Sequence, residues 1–509
     1  MRNVMKRKYL AHIGASLMLL AASCTKDLEE LNRNPNNPTS VPPLTMLSNA
    51  EVATATLGRG SIRRTNLAFD MMAMQQLAST ETLDGGEGDK YLKNDNAGNL
   101  FDDSYGLLVN NIVQLMEFVK NDPAQVNLLS AARIWKVLVF QRLTDAYGDV
   151  PYFDAGKGYV SGNFAPDYNK QSEIYADMLK ELSEAVAAFD AAKNPLGTAD
   201  VVYNGDLSKW KKLAYSLMLK LALRMEKQDL AKAKEWAAKA LAGGVMSLPE
   251  DVCAIRHSAE RNAVANPITY TFNSYDLANE KIKISKYFLD YLTNTGDPRR
   301  RVFVSTVSGD TALASQKGLP NGLDANSFKA AYPTIPLKDF STLNTKTILQ
   351  LTAPTFLLTP AEVQLMQAEL IVKGWTTGDA AAMYAAAVTN SMKQQAMYGD
   401  NGVISAQQIQ AYLAANPFPA TAADQLKALG NQYWVATFLN GWESHANWRR
   451  TGYPALTPVN YPGNITNGQI PRRLTYMLSE QVNNPKGIQS AITNQGKDEY
   501  MTRVWWDKQ

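Results

Sequence analysis

The chain has 509 residues, of which 45% are hydrophobic and 19% are charged, a globular composition that excludes disordered and fibrous proteins. The formal net charge is +3, but four basic residues lie within residues 1–23, and without that segment the charge is 3 − 4 = −1. This near-neutral balance gives no electrostatic reason to expect a nucleic-acid partner. No apolar run approaches the roughly 18 residues that a membrane-spanning helix needs.

The N-terminus has the pattern of an export signal. Residues 1–8 are basic, residues 9–20 are mostly apolar, and the small residues 21–23 precede Cys24. A cysteine directly after small residues is typical of bacterial lipoproteins, in which the thiol is acylated and becomes the new N-terminus. We therefore predict a lipoprotein signal peptide at residues 1–23, followed by lipidation of Cys24.

Lipidation would hold the protein on a membrane, because two or more acyl chains bind a bilayer far more firmly than one. The polar stretch 24–43, rich in Pro and Asn, is predicted to be an extended tether, and residues 44–509 to form a single domain. With Cys24 modified, Cys253 is the one cysteine left, so we expect no intramolecular disulfide.

Amphipathic patterns after the tether predict consecutive helices with short connections. The predicted helices are 105–120, 128–147, 172–190, 207–226, 230–241, 360–373, 379–398, 405–415 and 423–439. The segment 128–147 is apolar almost all round, which indicates a buried helix. We predict a mainly α fold, a scaffold of tetratricopeptide-like helical hairpins, although no strict 34-residue consensus recurs.

Three stretches lack helical periodicity, namely 58–104, 247–358 and 441–509. They are predicted to be large irregular loop regions with a few short strands, for example at Val302–Val304. Loops of this length are uncommon in a compact chain and are often functional.

Motifs for most kinds of catalysis are missing. Only His257 and His445 follow the signal peptide, and no zinc-hydrolase, catalytic-triad or phosphate-loop motif occurs. The loop acids Asp84, Glu87 and Asp89 do not match calcium-loop spacing, so we predict solvated turn acids, no metal and no cofactor. Paired carboxylates leave open a lipid-anchored glycoside hydrolase, because two acids suffice for that chemistry.

Aromatic side chains in the irregular stretches offer a different chemistry. A flat ring beside an amide or carboxylate suits sugar recognition, since the ring stacks on C–H faces while polar groups bind hydroxyls. The loops 84–100 and 265–276 combine these side chains, although the rings could equally hold the loops on the scaffold. The candidate ligand-binding residues are Tyr91, Asn94, Asp95, Tyr270, Phe272, Asn273 and Tyr275.

Several segments, in order along the chain, resemble the SusD/RagB family of surface lipoproteins, and specifically its SusD-like subgroup. WKVLVFQRLTDAYGDVPYFDA at 135–155 is the most telling internal one. The other segments are 23–39, 101–112, 357–375, 440–456, 470–485 and 504–508.

The resemblance implies a tetratricopeptide-type platform under a loop-rich region, and a binding protein rather than an enzyme. It also implies a SusC-like TonB-dependent transporter as partner, with the lipoprotein as its lid. The acidic stretch after Lys26 is similar to the signal for the outer face of the outer membrane. We expect an oligosaccharide ligand; the alternatives are a peptide, the hydrolase above, or a scaffold that recognises only proteins.

Arginines recur in two of the resembling segments, at Arg449–Arg450 and Arg472–Arg473. Guanidinium groups form paired hydrogen bonds with carboxylates. We predict that these arginines hold the C-terminal segment to acids such as Glu362, Glu369 or Glu480. Contact with an anion or acidic sugar is the alternative.

Overall fold

The computed structural model describes residues 41–508, except for residues 57, 59, 82–87 and 261–263. The predicted signal peptide, Cys24 and most of the tether lie outside the described residues, as do Asp84 and Glu87 of the acidic loop.

Helices dominate the described chain. Those of eight or more residues are α1 (Pro43–Thr56), α2 (Asn110–Val119), α3 (Val126–Tyr147), α4 (Gln171–Ala188), α5 (Leu207–Arg224), α6 (Leu230–Gly243), α7 (Pro267–Ser274), α8 (Lys286–Asn294), α9 (Pro360–Val372), α10 (Ala380–Lys393), α11 (Ala406–Ala415), α12 (Ala422–Ala436), α13 (Gly441–Thr451) and α14 (Pro485–Gln495). Shorter helices are Met71–Ala73, Asn99–Asp103, Gly158–Ser161, Leu277–Glu280, Arg300–Phe303, Ala325–Ala331 and Leu478–Asn483, and π-helical turns occur at Ser61–Asp70 and Ser104–Val109.

Local sequence explains where the principal helices begin and end. Helix α9 begins with Pro360 directly after Thr359, whose hydroxyl accepts the Glu362 N–H at 3.2 Å while the Glu362 carboxylate accepts the Thr359 N–H at 3.1 Å. Helix α3 ends at Gly148, whose φ of 84° is a conformation that glycine adopts without strain.

Neighbouring helices in the chain pack against one another. Contacts join α1 to α2, α2 to α3, α3 to α4, α4 to α5 and α5 to α6, and a second stack joins α9 to α10 and α12. Helix α5 also contacts α9, so the two stacks share one core. The prediction of a mainly α scaffold of tetratricopeptide-like hairpins is confirmed.

The core is lined with large rings from the first stack. Trp135 of α3 and Trp210 of α5 are fully buried, with ring centroids 5.9 Å apart. Both indole N–H groups are satisfied, by the Thr54 hydroxyl at 2.9 Å and the Asp200 carboxylate at 2.7 Å. Burial of these rings accounts for the all-round apolar sequence of α3.

Short antiparallel strand pairs connect the segments between the helices. The strands are β1 (Leu77–Ser79), β2 (Val150–Pro151), β3 (Tyr168–Asn169), β4 (Cys253–Ile255), β5 (Ile282–Ile284), β6 (Val304–Ser305), β7 (Thr342–Leu343) and β8 (Thr355–Leu358). They pair as β1–β5, β2–β3, β4–β8 and β6–β7. The β1–β5 pair, with Leu77 opposite Ile284, joins the stretch 58–104 to the stretch 247–358.

Some local predictions are wrong. Val302 and Phe303 belong to a short helix, and the strand begins only at Val304. Helix α7 lies in the stretch 265–276, which we predicted to be irregular. The prediction failed because eight residues are too few to show a clear 3.6-residue period. Helix α13 was missed because it buries polar residues such as Glu443.

Within the part of the chain that the structure describes, no helix is both long and apolar enough to pass through a membrane.

Candidate ligand-binding surface

The side chain of Tyr275 lies at the surface directly after helix α7, with 48% of its area exposed. The guanidinium carbon of Arg63 is 4.3 Å from the centre of this ring, within the range of a cation–π contact. Arg63 belongs to the π-helical turn at Ser61–Asp70. Two of the predicted loop regions, 58–104 and 247–358, therefore meet at one exposed aromatic ring.

Polar groups flank Tyr275 on both sides in sequence. Asn273 is exposed on the last turn of α7, and Asp276 adopts a left-handed conformation with φ of 47°. The Asp276 carboxylate accepts a hydrogen bond from the Asn279 side-chain amide at 2.6 Å. We call Arg63, Asn273, Tyr275, Asp276 and Asn279 the Tyr275 surface. It combines a ring for stacking with donors and acceptors for hydroxyl groups.

Helix α7 holds this surface in place through its buried face. Phe272 is only 1% exposed and packs in the core, so its ring is an anchor and is not accessible to a ligand. The Asn266 side chain accepts the Thr269 N–H at 3.0 Å and donates to the Ala353 carbonyl at 2.9 Å. These bonds tie the start of α7 to the segment before β8. Tyr270 is half-buried on the same helix.

The other predicted aromatic contact, Tyr91, is fully buried. Its hydroxyl accepts the Val459 N–H at 3.2 Å, its carbonyl accepts the Ile465 N–H at 3.0 Å, and burial raises its pKa to about 12. The ring therefore holds the 459–465 segment in this structure, as in the alternative that the sequence left open.

Asn94 and Asp95 follow Tyr91 closely in the chain, and none of their hydrogen bonds or ion pairs among the described residues is with α7. The Asn94 side chain accepts the Asn96 N–H at 2.9 Å, which caps the 3₁₀ turn Asp95–Gly98. Its main-chain N–H donates to the Tyr500 hydroxyl at 3.2 Å. Asp95 forms an exposed ion pair with Lys93 at 3.8 Å. Through its bond to Tyr500, Asn94 contacts the C-terminal segment.

Arg63, like Asn279, is a member of the Tyr275 surface that sequence reasoning did not select. It is one of two adjacent arginines in a weakly helical stretch, and its role in the surface depends on the ring of Tyr275, more than 200 residues later in the chain. Only tertiary contact between the stretches 58–104 and 247–358 identifies it.

Both histidines have structural partners. The His445 ring contacts the Asp70 carboxylate at 2.7 Å and the Pro471 carbonyl at 2.8 Å, and burial lowers its pKa. His257 contacts the Val264 carbonyl at 3.0 Å and the Thr355 hydroxyl at 2.9 Å. Among the described residues, no group of three or more His, Cys, Asp or Glu side chains is arranged to hold a metal ion.

The arginines of the resembling segments have carboxylate or carbonyl partners. Arg450 forms two hydrogen bonds with Glu369, at 2.5 and 2.6 Å, as predicted. Arg449 instead donates to the Arg472 carbonyl at 2.8 Å.

The second arginine pair contacts acids that we did not name. Arg472 forms an ion pair with Asp507, and Arg473 pairs with Asp498 at 2.9 Å. Both acids lie in the last 12 residues of the chain, so these pairs hold the C-terminus on the scaffold.

The fold is thus a scaffold of stacked helical hairpins whose long connections present an exposed ring with amide and charged groups. The chain belongs to the SusD-like family, because a family model described as "Starch-binding associating with outer membrane" matches residues 35–477. Proteins of this family are binding proteins associated with the outer membrane.

Solved structures share the fold over nearly the whole chain. A chitin-binding protein is 30% identical with a TM-score of 0.81, and the match covers 92% of this chain and 100% of that one. A Bacteroidetes SusD-like protein, AC2a, is 26% identical with a TM-score of 0.80 over the same shares.

A chitin-binding SusD homologue from Flavobacterium johnsoniae, 24% identical, has a TM-score of 0.77, and the match covers 92% of this chain and 99% of that one. This last likeness shows the fold alone. No curated protein matches the sequence.

Proposed function

We propose that this protein captures an oligosaccharide at the Tyr275 surface and delivers it, without chemical change, to a SusC-like TonB-dependent transporter in the outer membrane. The observation that carries the proposal is the exposure of Tyr275, a large ring that stays 48% accessible beside Arg63 in a protein of a glycan-binding family. Exposed rings with neighbouring amides suit the C–H faces and hydroxyls of a sugar.

A β-linked amino-sugar polymer is the first ligand to test. The similar protein at 30% identity is described as chitin-binding, whereas the family description names starch. Chitin and starch oligosaccharides are both neutral, so the acidic and basic side chains of the Tyr275 surface would act as hydrogen-bonding groups rather than as charge partners.

The binding test compares titration calorimetry of purified protein with chitin and starch oligosaccharides. Tyr275→Ala is expected to weaken binding by about two- to tenfold, since a ring contact contributes about 0.5–1.5 kcal/mol. Phe118→Ala is the matched control, because Phe118 is 69% exposed on α2, outside the Tyr275 surface. Equal affinity in wild type and Tyr275→Ala would place the ligand elsewhere.

The same titration separates the alternatives. Release of reducing sugar during the measurement would show a hydrolase, and binding of peptides without any oligosaccharide would show a peptide receptor. Binding of proteins alone would indicate a scaffold.

The lipid anchor at Cys24 is a separate part of the proposal. We expect radiolabelled palmitate to enter the wild-type protein and not Cys24→Ala, and the wild type to fractionate with the outer membrane. Protease added to intact cells is expected to digest the protein, since it would face outwards. A co-purifying barrel transporter would support the delivery step, and labelling of Cys24→Ala would contradict the anchor.

A further inference from the structure

A second candidate site lies in a cleft of about 400 Å³, formed by the loop 154–166, the turn at residues 101–110 and the short helix Leu478–Asn483. It shares no lining residue with the Tyr275 surface. We call it the Tyr159 cleft.

Two aromatic rings at the cleft are largely exposed to solvent. Tyr159 is 81% exposed and Phe164 is 74% exposed, and their centroids lie 5.9 Å apart at an interplanar angle of 89°. Two exposed rings this close are unusual on a soluble surface, where large apolar side chains occur mostly singly. Two perpendicular faces would contact a ligand from two directions.

The backbone of the loop is adapted to these rings. A Cβ atom on Gly158 would lie 2.7 Å from Cδ1 of Phe164, so the ring lies close against the backbone at Gly158. Gly162, which ends the short helix Gly158–Ser161, has φ of 73°, a left-handed conformation that suits glycine.

The charge in the cleft is of one sign. The carboxylates of Asp102, Asp154 and Glu480 line it, and none of the described residues that line it is a lysine or an arginine. Asp102 accepts a hydrogen bond from the Ser479 hydroxyl at 3.1 Å, and Glu480 accepts one from the Tyr168 hydroxyl at 2.8 Å.

Three polar side chains that line the cleft have no hydrogen-bond or ion-pair partner among the described residues. They are the Asp154 carboxylate and the side-chain amides of Asn110 and Asn483. The cleft therefore presents free acceptors and amides beside its rings.

We propose that the Tyr159 cleft binds a saccharide that carries a protonated amine, a cationic class distinct from the neutral glycans of the proposed function, on which this inference rests only in taking the ligand to be a saccharide. The ammonium group would pair with Asp154 and lie over a ring, while the sugar's C–H face would stack on the other ring. An acetylated amine is neutral and would make neither charged contact.

A saccharide fits this cleft better than a peptide. Extended peptides are commonly recognised by adding a strand to an exposed sheet edge, through main-chain hydrogen bonds. Apart from Pro151 of β2, the described segments that line the cleft are helices and turns, and the β2–β3 pair is only two residues long on each strand. Recognition here would use side chains: rings, amides and carboxylates.

The experiment uses titration calorimetry of the full mature protein with two probes of equal length, a glucosamine hexamer and an N-acetylglucosamine hexamer. We expect wild type to bind the glucosamine hexamer about tenfold more tightly at low salt, with the preference reduced at high salt. The double variant Tyr159→Ala/Phe164→Ala is expected to lose this preference, and Asp154→Asn to reduce it. Phe118→Ala is expected to leave it unchanged.

The outcomes distinguish this inference from the proposed function. If Tyr275→Ala binds neither hexamer while Tyr159→Ala/Phe164→Ala binds both as wild type does, the inference about the cleft is wrong and the proposed function stands. Glucosamine binding that needs Tyr159 and Phe164 but not Tyr275 would support the cleft and contradict the Tyr275 surface. Equal affinity for the two hexamers, or stronger binding of a lysine peptide through the same rings, would overturn the inference. Far-UV circular dichroism checks that each variant is folded.

Discussion

One group of buried charged side chains forms a network of compensating pairs. Lys220 lies between Glu362 at 3.4 Å and Glu443 at 3.1 Å, and Arg224 bonds Glu443 at 2.7 Å and Asp145 at 3.3 Å. Each charge has a partner of opposite sign, because an unpaired charge in the core would cost several kcal/mol. These residues join α5, α9 and α13, so their role is structural.

Arg450→Ala is expected to destabilise the protein by about 3–5 kcal/mol, since it leaves the buried Glu369 carboxylate without its bidentate partner. Differential scanning calorimetry would show the lower melting temperature, while oligosaccharide affinity of the folded variant stays unchanged. Lys286→Ala is the control, because its pair with Asp290 is about half exposed on both sides and is expected to contribute about 0–1 kcal/mol. An unchanged melting curve with lost binding would restore the anion-contact alternative.

Lowering the pH should weaken the pair of Arg450 and Glu369. Arg450 and Lys373 lower the pKa of Glu369 from 4.5 to about 2 in the folded protein. A folded-state pKa below the unfolded one gives stability that is present at neutral pH and is lost as pH falls, here between about pH 5 and pH 2. Urea unfolding of Glu369→Gln is expected to give a lower free energy of unfolding at pH 7 than that of wild type. Between about pH 5 and pH 2 this free energy should fall less in the variant than in wild type. Parallel curves for the two proteins would show that Glu369 does not drive the acid sensitivity.

At the scale of elements, helices with caps and one apolar face could be predicted from sequence to within a few residues. Helices α3, α4 and α9 begin and end close to the predicted bounds, because their signals are local. Helix α13 could not be predicted in this way. Its sequence, GWESHANWRRT, is polar, and its burial depends on distant partners such as Glu369 of α9, which pairs with Arg450.

Thr359→Ala tests the local signal of one helix. Removing the hydroxyl leaves the Glu362 N–H without its acceptor in a buried capping box, so a loss of about 1–2 kcal/mol is expected. Thr359→Ser keeps the oxygen and should keep most of the stability. Urea unfolding of the three proteins provides the measurement, and equal losses for Ala and Ser would assign the effect to the methyl group instead of the cap.

At the scale of the whole molecule, the C-terminal residues complete the core of the first helical stack. Trp506 is fully buried, and its indole N–H donates to the Asp145 carboxylate of α3 at 2.8 Å. The Arg449 guanidinium lies 4.8 Å from the Trp506 ring centre. The C-terminal segment thus contacts α3, more than 300 residues earlier in the sequence, as well as α13.

Trp506→Ala is expected to cost about 3–5 kcal/mol, as for other buried tryptophans. Because the core is shared, near- and far-UV circular dichroism should report one coincident transition at a lower temperature. Trp505→Ala is the matched control, since Trp505 is only partly buried against Tyr175 and should cost less. Separate transitions in the two signals would contradict the single domain predicted for residues 44–509.

The candidate site was predicted from the sequence only in part. Asn273 and Tyr275 lie on an exposed surface, whereas Tyr91 and Phe272 are buried, although all four are polar or aromatic residues of loop-like sequence. Sequence shows that a ring is present in a long connection, but its burial depends on which distant segment covers it. Val459 covers Tyr91, and no periodicity relates the two positions.

The sequence by itself determined the helical class, the order of the principal helices and the family, since these depend on local periodicity, caps and short motifs. The tertiary structure alone decided which rings reach solvent, how Arg63 meets Tyr275 and where the Tyr159 cleft opens. The physical reason is that accessibility and charge pairing depend on contacts between residues far apart in the chain, and those contacts exist only after the helices have packed.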